Sequence, residues 1–247
     1  MRSIAGINCV GLLFEQRLSA SPFVEQVWCS RRENINSFIS VAVFQWDFVV
    51  WKQYGKTYVS IHGPETQATR APVPEDAEFI GIVFRPGVFM PHLPKPLALI
   101  NSTIDLPETT SHTFWLNGST WELPTYNNAD TFVDRLVKSQ ILVREPVVES
   151  VLQGGLPYMS LRTVQRTFLR TTGLTYRTMQ QIERARRAAM LLREGTSIAD
   201  TVYQLGYFDQ AYLTKSLKHF IGQTPSQLMN YSKSEQLSLL YKTSAFG

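Results

Sequence analysis

Cysteine is scarce in this chain of 247 residues, which contains only Cys9 and Cys29. A small secreted scaffold held by disulfides uses more, so the low number favours a reducing compartment, the cytoplasm, with both thiols as apolar filling. No run of about 18 apolar residues occurs, which argues against a membrane-spanning helix. Asn8 interrupts the apolar run after Arg2, and charged residues follow. We therefore expect a partly ordered N-terminus and not a cleaved signal peptide.

Motifs of common catalytic and cofactor sites are also missing, since the chain has no GxSxG, P-loop, GxGxxG or HExxH pattern. Three of the four histidines are His62, His92 and His112, and they lie in the first half of the chain. Their spacings of 30 and 20 residues match no compact metal-ligand motif. The sequence therefore predicts no metal site, no cofactor and no enzymatic activity.

Charge is distributed unevenly along a chain whose overall composition is that of an ordinary globular protein, with 44% hydrophobic and 18% charged residues. From Asp130 onward, 15 lysines and arginines stand against 9 acidic residues, whereas the preceding part has 9 against 11. Neutralisation of phosphates by basic side chains releases counterions. The basic C-terminal part therefore favours a polyanionic partner.

The part from about Phe23 to Trp121 is typical of β structure. Its short segments are rich in Val, Ile, Phe, Tyr and Trp and end at Gly, Pro or Asp, which favours a sandwich or a barrel. Its aromatic side chains could line a pocket for an apolar or planar ligand, or could simply fill the core. They are Trp28, Trp46, Phe48, Trp51, Tyr54 and Tyr58.

A polar region from Leu106 to Asn128 separates this part from a series of helical patterns. The predicted domains are therefore 1–128 and 129–230, with residues 231–247 as a tail. The first helix is expected to begin at Ala129 and to carry an apolar stripe. That stripe contains Phe132, Val133, Leu136, Val137, Ile141 and Leu142.

Two short helices are predicted between Ser197 and Ile221. Ser197 is a suitable N-cap for the first, Gly206 can end it in the left-handed conformation, and Asp209 begins the second. Ile198, Val202 and Leu205 form the apolar face of the first helix, and Leu213, Leu217, Phe220 and Ile221 form that of the second. Two short amphipathic helices joined by a glycine turn are a helix-turn-helix.

A weaker pattern of the same kind precedes it. A short apolar helix follows Pro146 and ends at Gly154 and Gly155, and Ser160 caps the next helix. The apolar face of that second helix is predicted to contain Leu161, Val164 and Phe168.

A longer helix, from about Tyr176 to Glu194, joins the two patterns. One side can pack, through Met179, Ile182, Ala185, Ala189 and Leu192, and the arginines Arg184, Arg186 and Arg187 are expected to give it a basic surface. Its roughly 19 residues span about 28 Å. This length is close to the roughly 34 Å between successive major-groove segments on one face of DNA.

The quoted residues resemble a known family. The matching positions are Ile198-Ala199-Asp200, Leu205-Gly206-Tyr207, Asp209-Gln210, the run from Thr214 to Lys218, and Gly222 with Thr224-Pro225. With this spacing the segment resembles the second helix-turn-helix of the AraC/XylS family of bacterial transcription regulators. Ser160, Arg162, Thr163, Gln165-Arg166, Phe168 and Thr172-Gly173 are similar to the family's first recognition helix. Two departures are Leu217, where the family usually has phenylalanine, and the glycines that follow the helix begun at Pro146.

The resemblance implies an α+β protein. Its N-terminal β-rich domain, by analogy a cupin-like barrel, would bind a small-molecule effector or mediate homodimerisation. An all-α domain with two helix-turn-helix units would follow, bind double-stranded DNA in adjacent major grooves at an asymmetric site, and act with RNA polymerase.

Base contacts are expected where side-chain chemistry matches base edges: Gln with adenine, Arg or Lys with guanine, and Thr or Ala with the thymine methyl. The predicted base-contacting residues are Arg162, Gln165, Arg166, Gln210, Ala211, Thr214 and Lys215. The predicted phosphate-contacting residues are Arg170, Lys218 and His219.

Two other functions stay open at this stage. One is an enzyme whose catalytic N-terminal domain is anchored to DNA by the helices, which a reactive cysteine would indicate. The other is a module whose basic helices bind a protein partner.

Overall fold

The computed structural model describes residues 12–32, 36–93, 96–152, 154–155 and 158–230. The expectations for the N-terminal run with Cys9 and for the tail concern positions outside these residues. The strands are β1 (Leu12–Leu18), β2 (Val24–Arg32), β3 (Ser37–Ser40), β4 (Asp47–Gln53), β5 (Lys56–His62), β6 (Thr69–Pro72), β7 (Ala77–Phe84), β8 (Val88–Phe89), β9 (Thr103–Leu106), β10 (Glu108–Thr110), β11 (Thr113–Leu116), β12 (Ser119–Glu122) and β13 (Val143–Arg144). The helices are α1 (Ala129–Lys138), α2 (Pro146–Leu152), α3 (Leu161–Thr172), α4 (Tyr176–Arg193), α5 (Ile198–Gln204), α6 (Gln210–Phe220) and α7 (Pro225–Met229), with a 3₁₀ turn at Pro96–Leu99.

The chain forms two compact units, each assembled from separate segments. Unit 1 comprises the described residues of 1–36, 45–64 and 73–175. Unit 2 comprises those of 37–44, 65–72 and 176–247. Both units therefore combine residues from the β-rich half with residues from the helical half.

A six-stranded antiparallel sheet dominates unit 1, in the order β1-β2-β7-β4-β5-β9. A three-stranded sheet, β10-β11-β12, contributes side chains to the same core. The predicted N-terminal β-rich fold followed by helices is confirmed. The larger sheet is not a closed barrel, because β1 and β9 are its two edges and do not pair with each other.

Helix α1 completes the core of unit 1. Its buried residues Phe132, Val133 and Leu136 join side chains of the sheets in one apolar cluster. The ring of Phe132 lies 5.2 Å from that of Phe48 and 6.2 Å from that of Phe114, measured between centroids. The apolar stripe of the sequence thus covers the β core, and residues 129–175 belong to unit 1. The predicted boundary after residue 128 concerns domains that act independently, and it stays a prediction.

Helix α3 also belongs to unit 1, where it packs against α2. Val164 and Phe168 are buried as predicted. Leu161 is not, because it is 73% exposed. As the first residue of α3 it lies at the helix end, so the helical period alone placed it wrongly in the apolar face.

The core of unit 2 lies between α4 and the three helices that follow it. Every residue predicted for the packing side of α4 is buried, as are all four predicted for the second helix: Met179, Ile182, Ala185, Ala189, Leu192, Leu213, Leu217, Phe220 and Ile221. In α5 the fully buried residue is Thr201, whose hydroxyl donates to the Ser197 carbonyl at 2.9 Å. The predicted face of α5 is only half-buried.

The predicted basic surface of α4 is wrong for Arg186, which is 1% exposed. Arg186 follows Ile182 by four residues and precedes Ala189 by three, so it lies on the helix side that faces the core. Glu183, one turn earlier, is buried as well, which places opposite charges close together inside unit 2. Arg187 is exposed and keeps the predicted role.

Strands β3 and β6 form a separate antiparallel pair within unit 2. The segments that contain them bind the last turn of α6: the Ala42 amide donates to the Phe220 carbonyl, and the Ala68 amide donates to the His219 carbonyl, both at 2.8 Å. Carbonyls at a helix C-terminus lack partners within the helix. This strand pair therefore caps α6 with backbone from the first third of the chain.

Candidate nucleic-acid interface

Helix α6 begins at a well-defined cap. The Asp209 carboxylate accepts a hydrogen bond from the Tyr212 amide at 2.7 Å, and Gly206, with φ of 64°, provides the left-handed turn after α5. Ser197 caps α5 in the same way, accepting from the Asp200 amide at 3.1 Å. These caps fix where each helix starts and therefore which side chains of α6 face outward.

The outward face of α6 forms one shallow concavity. It is lined by Gln210, Ala211, Thr214, Lys215, Lys218 and His219, which are all of the residues predicted to contact DNA in this helix. All are exposed except Thr214, which is half-buried. Spacings of three and four residues place them side by side along the helix. The predicted residues of α6 are therefore brought together on a single surface.

Thr214 has less hydrogen-bonding capacity than its position suggests. Its hydroxyl donates to the Gln210 carbonyl at 2.8 Å, a common bond within helices. The hydroxyl proton is thereby used internally. A methyl group and the two lone pairs of the hydroxyl oxygen remain for an external partner.

Arg184 of α4 supports the N-terminal end of α6. Its guanidinium carbon lies 4.3 Å from the ring centroid of Tyr207 and 5.8 Å from that of Tyr212. The Tyr207 hydroxyl is 3.2 Å from the Ser216 hydroxyl. Burial raises the pKa of Tyr207, while the Ser216 hydrogen bond and the Arg184 charge oppose this effect. Arg184 therefore stacks within unit 2, where the sequence predicted a role on a basic surface.

The other set of predicted contacts lies on α3 of unit 1. Arg162, Gln165, Arg166 and Arg170 are exposed. Ser160 caps the helix by accepting from the Thr163 amide at 3.2 Å, and Gly173 ends it with φ of 77°. The four side chains are spaced three or four residues apart, so they share one face.

Arg170 differs from the other cations of the two sets. Its guanidinium donates to the Glu145 carboxylate at 3.4 Å. Arg162, Arg166, Lys215 and Lys218 form no ion pair with another residue in the described part of the chain. Their charges are available to an anionic partner, whereas Arg170 would have to exchange a carboxylate for a phosphate.

Two features of this region were missed in the sequence. Thr224 and Gln227 form a reciprocal capping box at the start of α7, which the S/T-x-x-E/Q pattern would have revealed. Phe208 is 92% exposed immediately before the cap of α6. Helical periodicity gave no signal for it, because it lies in the turn.

The aromatic residues proposed for a ligand pocket do not share one face of the larger sheet. Trp46 and Phe48 belong to the buried core. On the opposite face Trp51 stacks on Tyr58, with centroids 4.1 Å apart, and the indole of Trp28 covers Gly81. Core filling therefore holds for Trp46 and Phe48, whereas Trp51, Tyr58, Phe79 and Trp28 form a half-exposed aromatic platform.

The three histidines of the β-rich part show no common site. His62 lies within 2.9 Å of the Ser60 hydroxyl, and burial lowers the pKa of His92. Within the described ranges, no three His, Cys, Asp or Glu side chains lie together as metal ligands would.

Cys29 bears on the enzyme alternative. Burial, and then the nearby Glu15 carboxylate, raise the pKa of its thiol, while a hydrogen bond to the Glu15 backbone opposes them. A raised pKa lowers the fraction of thiolate, which is the nucleophilic form.

We therefore expect Cys29 to react slowly with iodoacetamide near neutral pH, more slowly than free cysteine, in a Cys9→Ser variant that leaves only this thiol. The rate should rise with pH as the thiolate forms. Mass spectrometry of timed samples measures it. Labelling faster than that of free cysteine would contradict the raised pKa and support a nucleophilic role.

The C-terminal part of the chain is similar to known proteins. Residues 158–231 match a family model described as a helix-turn-helix domain, a range that includes α3 through α7. The chain is also similar to the HTH-type transcriptional regulator RipA of Corynebacterium glutamicum, with 31% identity over 90 residues. This match covers 36% of the chain and 27% of RipA. The C-terminal region therefore contains a helix-turn-helix domain of the AraC type, and the resemblance stated from the sequence is confirmed for it.

Solved structures give weaker matches. Two crystal structures of ToxT from Vibrio cholerae, one of them an apo lysine-to-alanine variant, align with TM-scores of 0.37 and 0.35. Their identities are 9% and 8%, over 90% and 88% of this chain and 98% of each ToxT chain. No helix in the described residues combines the length and apolarity needed to cross a membrane.

Proposed function

We propose that this protein is a sequence-specific DNA-binding transcription regulator of the AraC/XylS type that acts in the cytoplasm. The observation that carries the proposal is the surface of α6, where six side chains suited to bases and phosphates line one concavity. The match to a helix-turn-helix domain and the similarity to RipA support it.

In this proposal α3 and α6 are two recognition helices that enter adjacent major grooves. Arg162, Gln165 and Arg166 contact bases from α3, and Gln210, Ala211, Thr214 and Lys215 do so from α6. Arg170, Lys218 and His219 contact phosphates and fix the register. Because the two helices differ in sequence, the DNA site is asymmetric and one chain is enough to recognise it.

Selection from random duplex DNA tests the proposal. The purified full chain is mixed with a random pool near physiological salt, and retained duplexes are sequenced. We expect one asymmetric motif with two blocks separated by about one helical turn. Retention that depends on salt but yields no motif, with or without candidate effectors, would overturn sequence-specific recognition.

A pair of substitutions separates base contact from phosphate contact. Arg166→Ala is expected to weaken binding to the selected site by about 1–3 kcal/mol and to relax base preference at one position. Lys218→Ala should weaken binding to all sequences alike and reduce the slope of log affinity against log salt by about 1. Fluorescence anisotropy on selected and scrambled duplexes at several salt concentrations measures both. Equal losses on the two duplexes for Arg166→Ala would contradict its role.

Effector control is the second element of the proposal. The aromatic platform of unit 1 offers stacked, half-exposed rings, which suit a planar apolar ligand. Ligand titrations that follow tryptophan fluorescence, with Trp51→Leu as the variant, test this location. Homodimerisation and action with RNA polymerase stay predictions from the resemblance.

A further inference from the structure

Phe208 occupies a position where an apolar side chain usually packs. It immediately precedes Asp209, the N-cap of α6. At this position an apolar residue often contacts the fourth residue of the helix, an arrangement called a hydrophobic staple. That residue here is Leu213, which is 0% exposed, while Phe208 is 92% exposed. The staple is not formed, and a whole phenyl ring faces solvent.

The flanking residues hold this geometry in place. Tyr207 is buried, with the Arg184 guanidinium over its ring and its hydroxyl near Ser216. On the other side, Asp209 is fixed by its bond to the Tyr212 amide. Of these two adjacent aromatic residues, Tyr207 therefore packs in the core of unit 2 and Phe208 lies outside it.

The surroundings of Phe208 indicate what covers it. It lies at the end of α6 that carries Gln210 and Ala211, and the N-terminal residues of a recognition helix are those that contact base edges. A phenyl ring in the major groove meets one apolar group there, the C5-methyl of thymine. We propose that Phe208 is a specificity-determining residue that packs on a thymine methyl beside the bases contacted by α6.

This inference rests on the proposed DNA binding. It adds a side chain that has no hydrogen-bonding group and therefore cannot be assigned by matching donors and acceptors to base edges. Gln210 and Lys215 recognise polar edge atoms, whereas Phe208 recognises the presence of a methyl group. The chemistry of its partner is accordingly apolar and local, although the rest of the interface is polar and cationic.

The test removes the methyl group and the ring independently. In the selected duplex each thymine is replaced in turn by deoxyuridine, which lacks only the C5-methyl. For the unmodified protein we expect one position at which this change lowers affinity about fourfold, the factor for one buried methyl group. Phe208→Ala should lower affinity for the thymine-containing duplex by at least as much, and it should make the same deoxyuridine change neutral. Phe208→Leu should retain part of the preference.

Tyr203→Ala is the matched control, because Tyr203 is an aromatic residue of the same unit that is 88% exposed but lies on α5. It should leave the effect of every deoxyuridine substitution unchanged. The inference is overturned if every single deoxyuridine substitution changes the affinity of the unmodified protein and that of the Phe208→Ala variant by the same factor. That result would point to a protein partner for the ring. Failure of the chain to select any motif would instead defeat the proposed function itself.

Discussion

Replacement of Phe132 by Ala is expected to lower the free energy of unfolding by about 3–5 kcal/mol. The ring is buried at the centre of an aromatic cluster in unit 1, between Phe48, Phe114 and Trp121. Truncation removes a large apolar surface and leaves a cavity that three rigid rings cannot close. Because α1 is attached to the core through this face, its helical content should decrease as well.

Urea denaturation followed by circular dichroism measures the change. Asp134→Ala is the control, since Asp134 lies on the same helix but is exposed. It should alter stability by less than about 0.5 kcal/mol. A loss below about 1 kcal/mol for Phe132→Ala would mean that α1 is not part of the core as described.

Gly222→Ala is the second change with a large expected effect, a loss of about 2–5 kcal/mol in the free energy of unfolding. Gly222 has φ of 81°, and a side chain in that conformation costs about 1–2 kcal/mol. The added Cβ would also lie 2.9 Å from Ile39 Cγ2 and 3.2 Å from Ala68 Cβ, and crowding of a packed contact costs about 1–3 kcal/mol. Both neighbours belong to the segments that cap α6.

A matched glycine isolates the second contribution. Gly195 has φ of 94°, but a Cβ there would meet nothing within 4 Å, so Gly195→Ala reports backbone strain alone. In a background that carries Ile39→Ala, the crowding against Ile39 is removed. Gly222→Ala should therefore cost less stability in that background than in the unmodified protein, and its cost should approach that of Gly195→Ala. Equal losses of stability for Gly195→Ala and Gly222→Ala would show that Ile39 and Ala68 do not pack closely against Gly222.

Features set by nearby residues were predictable from the sequence. Ser160, Ser197 and Asp209 act as caps because a side chain one turn away from an amide is enough to bind it. The exposed faces of α3 and α6 followed from helical period and these caps. The family resemblance added which of the exposed side chains to assign to DNA, and that assignment stays a prediction.

Features set by distant residues were not predictable. Arg186 is a different case, because its charge led to a predicted place in solvent although the helical period puts it on the core side of α4. Nothing local to Ser37–Ser40 or Thr69–Pro72 indicates that these strands pair with each other and bind the end of α6. Whether a set of strands closes into a barrel also depends on pairings across the whole sheet, as the unpaired edges β1 and β9 show.

The strand pair has a consequence for synthesis. The Ala42 amide, which donates to the last turn of α6, is synthesised long before its acceptor, the Phe220 carbonyl. At about 5–20 residues per second the ribosome needs roughly 10–35 s to cover this interval. Unit 2 cannot be completed during that time, so in a nascent chain the contact between these segments and α6 forms only after Phe220 has been synthesised. Chains that stop before His219 would lack the α6 carbonyls that the Ala42 and Ala68 amides bind, and would also lack the complete α6 surface assigned to DNA.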